Sequence, residues 1–228
     1  MATRVKICGL TDAASLDAAL DAGADMVGLV FFPPSPRNLD LAAGAALAER
    51  ARGRAEIVAL TVDADAALID AIAAEVRPDL IQFHGSETPE RLAEVRRRYS
   101  VATMKAIGVA ARGDLAACAA YQGAADRLLL DGKPPPQATR PGGNAARFDW
   151  TLLAGFEPGL PWLLSGGLTV ANVGEAIRVT CAPAVDVSSG VERAPGVKDP
   201  ALIRAFIAAV RRLEESRGAA AELERGIA

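Results

Sequence analysis

Side chains able to bind ligands or move protons stand at the ends of short apolar runs along this chain. RVKIC ends in Cys8, LIQFH carries Gln82 and His84, ATMKAI carries Lys105, RLLLD ends in Asp131, WLLS ends in Ser165, and AVDVS carries Asp186 and Ser188. Strand residues two apart share a face, which groups Lys6 with Cys8, Gln82 with His84, and Asp186 with Ser188. If those faces converge, Lys6 and Lys105 are cations in an apolar interior, a placement that requires carboxylate partners such as Asp186. Two small-residue turns, SGGL at 165–168 and SSGV at 188–191, suggest a second kind of chemistry. Gly166 and Gly167 in one, and Ser188, Ser189 and Gly190 in the other, let backbone N–H groups approach a ligand. With the partial charge of a helix N-terminus behind them, a phosphate fits between the turns. Arg37, in the SPR run at 35–37, is placed to grip a carboxylate in a two-point fork.

Each position also has a plainer reading. A buried cysteine is usually a small hydrophobe, a loop-starting aspartate such as Asp131 is usually a turn or cap residue, and Arg37 reads equally as a solvated rim charge. His84 is the single histidine, which excludes a paired-histidine catalytic array and a histidine metal cluster. It reads as a packed histidine or a substrate contact. The plain account has to treat all these positions as unrelated.

The elements that must position them repeat from end to end. Eight apolar runs, VKIC, MVGLVF, EIVALTV, DLIQFH, ATMKAI, RLLLD, PWLLS and AVDVS, are each followed by a stretch able to form a helix. The pattern predicts an α/β fold, a single-domain (β/α)8 TIM barrel, with a parallel eight-stranded barrel inside outer helices. In that fold active sites lie at the C-terminal strand ends, and phosphate sits after strands seven and eight. Thr11 and Asp12 mark a helix start, and Gly23 its stop. In DPALIRAFIAAVRRLEE, Leu202, Ile203, Phe206, Ile207 and Val210 share one face. The barrel is assigned to residues 1–215, with a flexible tail at 216–228. Residues 132–147 hold four prolines and three glycines and break the rhythm, as a lid over the site would.

The chain has 228 residues, is 51% hydrophobic and carries a formal charge of −3, from 25 basic and 28 acidic residues scattered without blocks. That balance argues against nucleic acid and membrane partners and favours a small molecule. The apolar runs are too short to span a bilayer, and no signal-peptide core opens the sequence. Cys8, Cys118 and Cys181 are too widely and irregularly spaced for a disulfide framework or a metal site. A cytoplasmic protein without metal or cofactor, monomeric or weakly homodimeric, is expected.

KICG at 6–9, GLVFFPPSPR at 28–37, QFHG at 82–85, LLLD at 128–131, GG at 142–143, FDW at 148–150, LSGGL at 164–168 and DVSSGVE at 186–192 together resemble phosphoribosylanthranilate isomerase of tryptophan biosynthesis. The resemblance runs from about Arg4 to about Arg212, with the motifs in the family's order and spacing. It implies an Amadori rearrangement of N-(5-phosphoribosyl)anthranilate, with Cys8 as general base and Asp131 as general acid. It also favours the carboxylate of the phosphosugar–anthranilate substrate as the partner of Arg37, while His84 stays a packed histidine or a substrate contact. The chemistry is consistent with this. An acid must protonate the furanose oxygen to open the ring, and a base must take the C2 proton, so the two groups start in opposite protonation states. A thiol near pKa 8.5 then needs modest depression by nearby lysines. The run GGNAAR departs from the family's usual Gly-Gly-Thr-Gly. Other readings are a pentose-phosphate epimerase, which wants metal-binding histidines, and an indole-glycerol-phosphate synthase type, which wants strand-end glutamates. A third is a phosphosugar-binding module without catalysis.

Overall fold

The computed structural model describes residues 2–134, 142 and 147–226, with side chains up to residue 216. Most of the expected lid, including Gly143, lies outside the described residues. The strands β1 (Arg4–Cys8), β2 (Met26–Phe31), β3 (Glu56–Thr61), β4 (Leu80–Phe83), β5 (Ala102–Val109), β6 (Arg127–Gly132), β7 (Trp162–Leu164) and β8 (Ala184–Val187) close into a parallel barrel in sequence order. All eight apolar runs fall on these strands. The register sets Cys8 beside Gly28 across β1–β2 and Lys6 beside Asp186 across β1–β8.

Alternation sorts the side chains between lumen and exterior. Met26, Val58, Leu80, Met104, Ala106, Leu129, Leu163 and Ala184 pack together inside the barrel. Alternating with them, Val5, Ile7, Val27, Leu29, Leu128, Leu130, Val185 and Val187 belong to the large cluster under the helices. A small apolar group, Cys8, Val30 and Leu60, lies at the upper end. The barrel interior is therefore a packed core rather than a pore.

The outer helices begin at side-chain caps. Asp12 accepts from the Ser15 N–H at the start of α1 (Ala13–Asp21), and Asp40 does the same for Ala43 in α2 (Leu41–Ala51). Asp65 caps α3 (Ala66–Ala71), and Thr88 precedes α4 (Pro89–Tyr99), where proline occupies the first turn. After β7 and β8 come α5 (Val173–Thr180) and α6 (Pro200–Gly226). Ile203, Phe206, Ile207 and Val210 are buried, and Leu202 packs against the same cluster.

Two features differ from expectation. The segments after β5 and β6 form 3₁₀ helices, Arg112–Tyr121 and Trp150–Leu153. Their core-facing residues, Leu115, Cys118 and Tyr121 in one and Trp150 and Leu153 in the other, recur every three positions, the 3₁₀ period. A short antiparallel ribbon, β9 (Glu192–Ala194) with β10 (Val197–Lys198), follows β8 and was not anticipated. The helix α6 continues past residue 215 to Gly226, across the expected boundary between barrel and tail. AAAELER is rich in strong helix formers.

Candidate active site

The open end of the barrel holds a cavity of about 750 Å³ including its mouth. Cys8 from β1, Gln82 at the end of β4 with His84 just beyond it, Asp131 from β6 and Asp186 from β8 all line it. So do Arg37 from the loop after β2, Gly166 and Gly167 after β7, and Ser188 and Ser189 after β8. Gly142, a described residue of the expected lid, also lines the cavity.

The two expected phosphate turns are in contact. A side-chain carbon on Gly190 would lie 1.9 Å from the Leu168 carbonyl oxygen, so only glycine permits this approach. Gly190 itself is packed behind the lining. Gly166 and Gly167 take positive φ of 88° and 63°, the left-handed region that only glycine enters without strain.

Beneath the cavity a hydrogen-bonded chain crosses the barrel. Lys6 Nζ donates to Asp186 Oδ1 and to Gln82 Oε1, each at 2.8 Å, and Ser165 Oγ donates to Asp186 Oδ2 at 3.1 Å. Because the ammonium fixes Gln82 Oε1 as an acceptor, the amide nitrogen 3.0 Å from His84 Nδ1 is the donor. Neutral His84 therefore carries its proton on Nε2, which lies 3.3 Å from Asp131 Oδ2. The Gly132 N–H holds the other carboxylate oxygen at 2.8 Å. One strand-end network thus runs from beside Cys8 to Asp131.

Behind Cys8 lies a second buried cluster. Glu192 accepts from Arg37 Nε and Nη2, at 2.7 and 2.8 Å, and from Lys198 Nζ at 2.7 Å. Lys198 also donates to the Ser188 carbonyl at 2.9 Å and hydroxyl at 3.2 Å. The Glu192 bonds occupy one edge of the Arg37 guanidinium and leave Nη1 and the second Nη2 hydrogen for another carboxylate.

Burial pushes the Cys8 thiol above its ordinary value, with Asp186 acting in the same direction and Lys6 and Lys198 against it. The lysines act with the expected sign, but desolvation outweighs them. The expected modest depression is corrected to a rise. Lys6 is held above the ordinary lysine value, since Asp186 and Cys8 outweigh its burial. Burial shifts Lys198 down, opposed by Glu192. Burial tends to raise Glu192, but its bonds with Arg37 and Lys198 bring it below the ordinary carboxylate value.

Lys105 is the main positional correction. Met104 and Ala106 face the lumen, so Lys105 points outward, where it bonds Glu87 at 2.9 Å and lies 5.9 Å from the Tyr121 ring centroid. Its partner is Glu87, not Asp186, and it braces the loop after β4 from outside. Lys6 does pair with Asp186. Glu192, Lys198 and Glu87 were missed as site residues. Glu192 sits in the DVSSGVE motif, but its pairing with Lys198 is visible only in the ribbon register.

A closed (β/α)8 barrel with a thiol and a carboxylate at one mouth, beside two small-residue turns after β7 and β8, defines a phosphosugar-type acid–base barrel enzyme. The family described as N-(5'-phosphoribosyl)anthranilate (PRA) isomerase matches residues 5–209. The chain belongs to this family. It is 60% identical to the N-(5'-phosphoribosyl)anthranilate isomerase of Afipia carboxidovorans, over 95% of this chain and 92% of that protein. Its fold is similar to the crystal structure of phosphoribosyl anthranilate isomerase from Thermotoga maritima, with TM-score 0.82, 33% identity and coverage of 92% and 98%. It is also similar to a phosphoribosyl anthranilate isomerase crystallised with reduced 1-(o-carboxyphenylamino)-1-deoxyribulose 5-phosphate. There the TM-score is 0.80, identity is 32%, and coverage is 92% and 98%.

Proposed function

We propose that Asp131 and Cys8 divide the proton transfers that convert N-(5-phosphoribosyl)anthranilate to 1-(2-carboxyphenylamino)-1-deoxyribulose 5-phosphate. The observation that carries this reading is that thiol and carboxylate line one cavity yet hang from different supports, Lys6 beside the thiol and His84 against the carboxylate. The substrate phosphate sits between the turns at Gly166–Gly167 and Ser188–Ser189, and the anthranilate carboxylate takes the free edge of Arg37. Protonated Asp131 delivers its proton to the furanose ring oxygen as the C1–O bond breaks, leaving an iminium between C1 and the anthranilate nitrogen. The Cys8 thiolate then removes the C2 proton, the electron pair flows toward nitrogen, and the enol-amine becomes the ketose. A thiolate in a buried site is the minor form, but a stronger base than an exposed one once formed.

The experiment is the loss of anthranilate-adduct fluorescence on mixing with substrate. Rapid loss with wild type, and a fall of about 10³-fold or more in folded Cys8→Ser and Asp131→Asn, supports the roles. Near wild-type turnover in either variant removes that residue from the mechanism. Among the described residues no helix is long and apolar enough to cross a membrane. A cytoplasmic enzyme, monomeric or weakly homodimeric, is the accompanying proposal. The small number of exposed large hydrophobics among the described residues, Val179 and Val197, supports weak self-association at most.

A further inference from the structure

The buried groups around Cys8 do not balance in charge. Among the described residues, Lys6 is matched by Asp186, whereas Arg37 and Lys198 share the single carboxylate of Glu192. All three members of that second cluster have side chains at most 4% exposed. Lys198 Nζ sits among three acceptors, the Glu192 carboxylate and the Ser188 carbonyl and hydroxyl, which uses all three hydrogens of an ammonium. A buried cation without its own counter-ion is costly unless an anion arrives. Two anions meet this cluster in the reaction: the substrate phosphate at the Ser188 turn and the thiolate of Cys8.

We propose that Lys198 is a positioning residue for the isomerisation: from the β9–β10 ribbon it fixes Ser188 in the phosphate turn and supplies the unmatched positive charge that favours an anion at Cys8. The inference rests on Cys8 acting as the base. The groups facing Cys8 are Lys6 on its own strand, Asp186 from β8, Lys198 from β10, and the apolar Val30 and Leu60 from β2 and β3. Arg37 stands behind them, paired with Glu192. Asp186 opposes the Lys6 ammonium at the thiol, and Lys198 adds to Lys6 in favouring the anion. Its influence on the thiol is charge alone, because its hydrogens are occupied by the Ser188 and Glu192 acceptors.

The test is kcat/KM against pH, with inhibition by inorganic phosphate, for wild type, Lys198→Met, Lys198→Arg and Glu192→Gln, with Cys8→Ser as reference. Lys198→Met should be roughly tenfold slower than wild type at neutral pH, with the gap closing as pH rises, and should bind phosphate several-fold more weakly. Lys198→Arg keeps the cation, so its ascending limb should stay where the wild-type limb is, even if the rate drops. Glu192→Gln adds net positive charge, so its limb should move toward acid. Equal loss at every pH in Lys198→Met, or a limb in Glu192→Gln that stays put or moves toward alkali, overturns the proposal. If Lys198→Met fails to fold, the direction of the Glu192→Gln limb decides, and failure of both to fold overturns the catalytic role in favour of a folding one. A fully active Cys8→Ser would instead defeat the underlying base assignment, which keeps the two failures distinct.

Discussion

Cys8 sits between opposing influences: an apolar collar of Val30 and Leu60, an attracting Lys6 and Lys198, and a repelling Asp186. Desolvation prevails, so the free enzyme holds a thiol at neutral pH. The rate of iodoacetamide labelling at Cys8, followed by peptide mass spectrometry, should still be climbing at a pH where an ordinary thiol, near 8.5, has levelled off. A plateau on the acid side of that range contradicts the burial argument. Gln82 makes a second residue-scale case, because it couples the Lys6 ammonium to the His84 tautomer. Gln82→Leu should lower kcat about tenfold with a smaller change in KM, since it disturbs the hydrogen bonds that hold His84 against Asp131. A rise confined to KM would place Gln82 at the substrate instead. The lining residues were readable because strand ends are where polarity is otherwise unexplained. Glu192 and Lys198 were not, because their meaning lies in a short ribbon whose sequence carries no alternation.

At the scale of elements, the strands were legible because each buried strand is a compact β-branched or apolar run bounded by turn residues. The 3₁₀ segments were less so, since DLAACAAY reads as helix by composition and only the three-residue spacing of its buried positions separates the two. Lys105 shows the limit of face assignment: polarity near a strand end suggested the lumen, but Met104 and Ala106 take the inward positions. The correction carries a prediction. Lys105→Met leaves Glu87 buried and unpaired behind the β4 loop and should destabilise the protein by about 3–5 kcal/mol, while the residual folded protein keeps most of its turnover. Lys6→Met strands Asp186 similarly but also removes a charge beside Cys8, so it should lose stability and activity together. Denaturant melts paired with assays on the folded fraction distinguish the two, and equal loss of turnover would contradict the face assignment.

For the whole molecule, the barrel separates a stabilising end from a reacting end. At the bottom, Glu56 joins Arg4 and Arg127, each at 2.8 Å, and at the top Glu192 joins Arg37 and Lys198. Both carboxyls are held below the ordinary glutamate value despite burial, by these cations. A depressed carboxyl contributes stability that is fully present above its unfolded value, about 4.3, and is lost as pH falls through the folded one. Thermal midpoints should therefore hold near pH 6 and fall steeply below about 4.5, with a shallower fall in Glu56→Gln and Glu192→Gln. An unchanged slope in both variants would move the acid sensitivity elsewhere.

The division of labour at the reacting end is tested most directly by trapping. With cyanoborohydride present, an enzyme that opens the ring but cannot take the C2 proton should yield the reduced open-chain amine of N-(5-phosphoribosyl)anthranilate. Folded Cys8→Ser should accumulate that product well above an enzyme-free control, and Asp131→Asn should not. Equal trapping by both variants, or more by Asp131→Asn, would contradict the assignment of the acid to Asp131 and the base to Cys8.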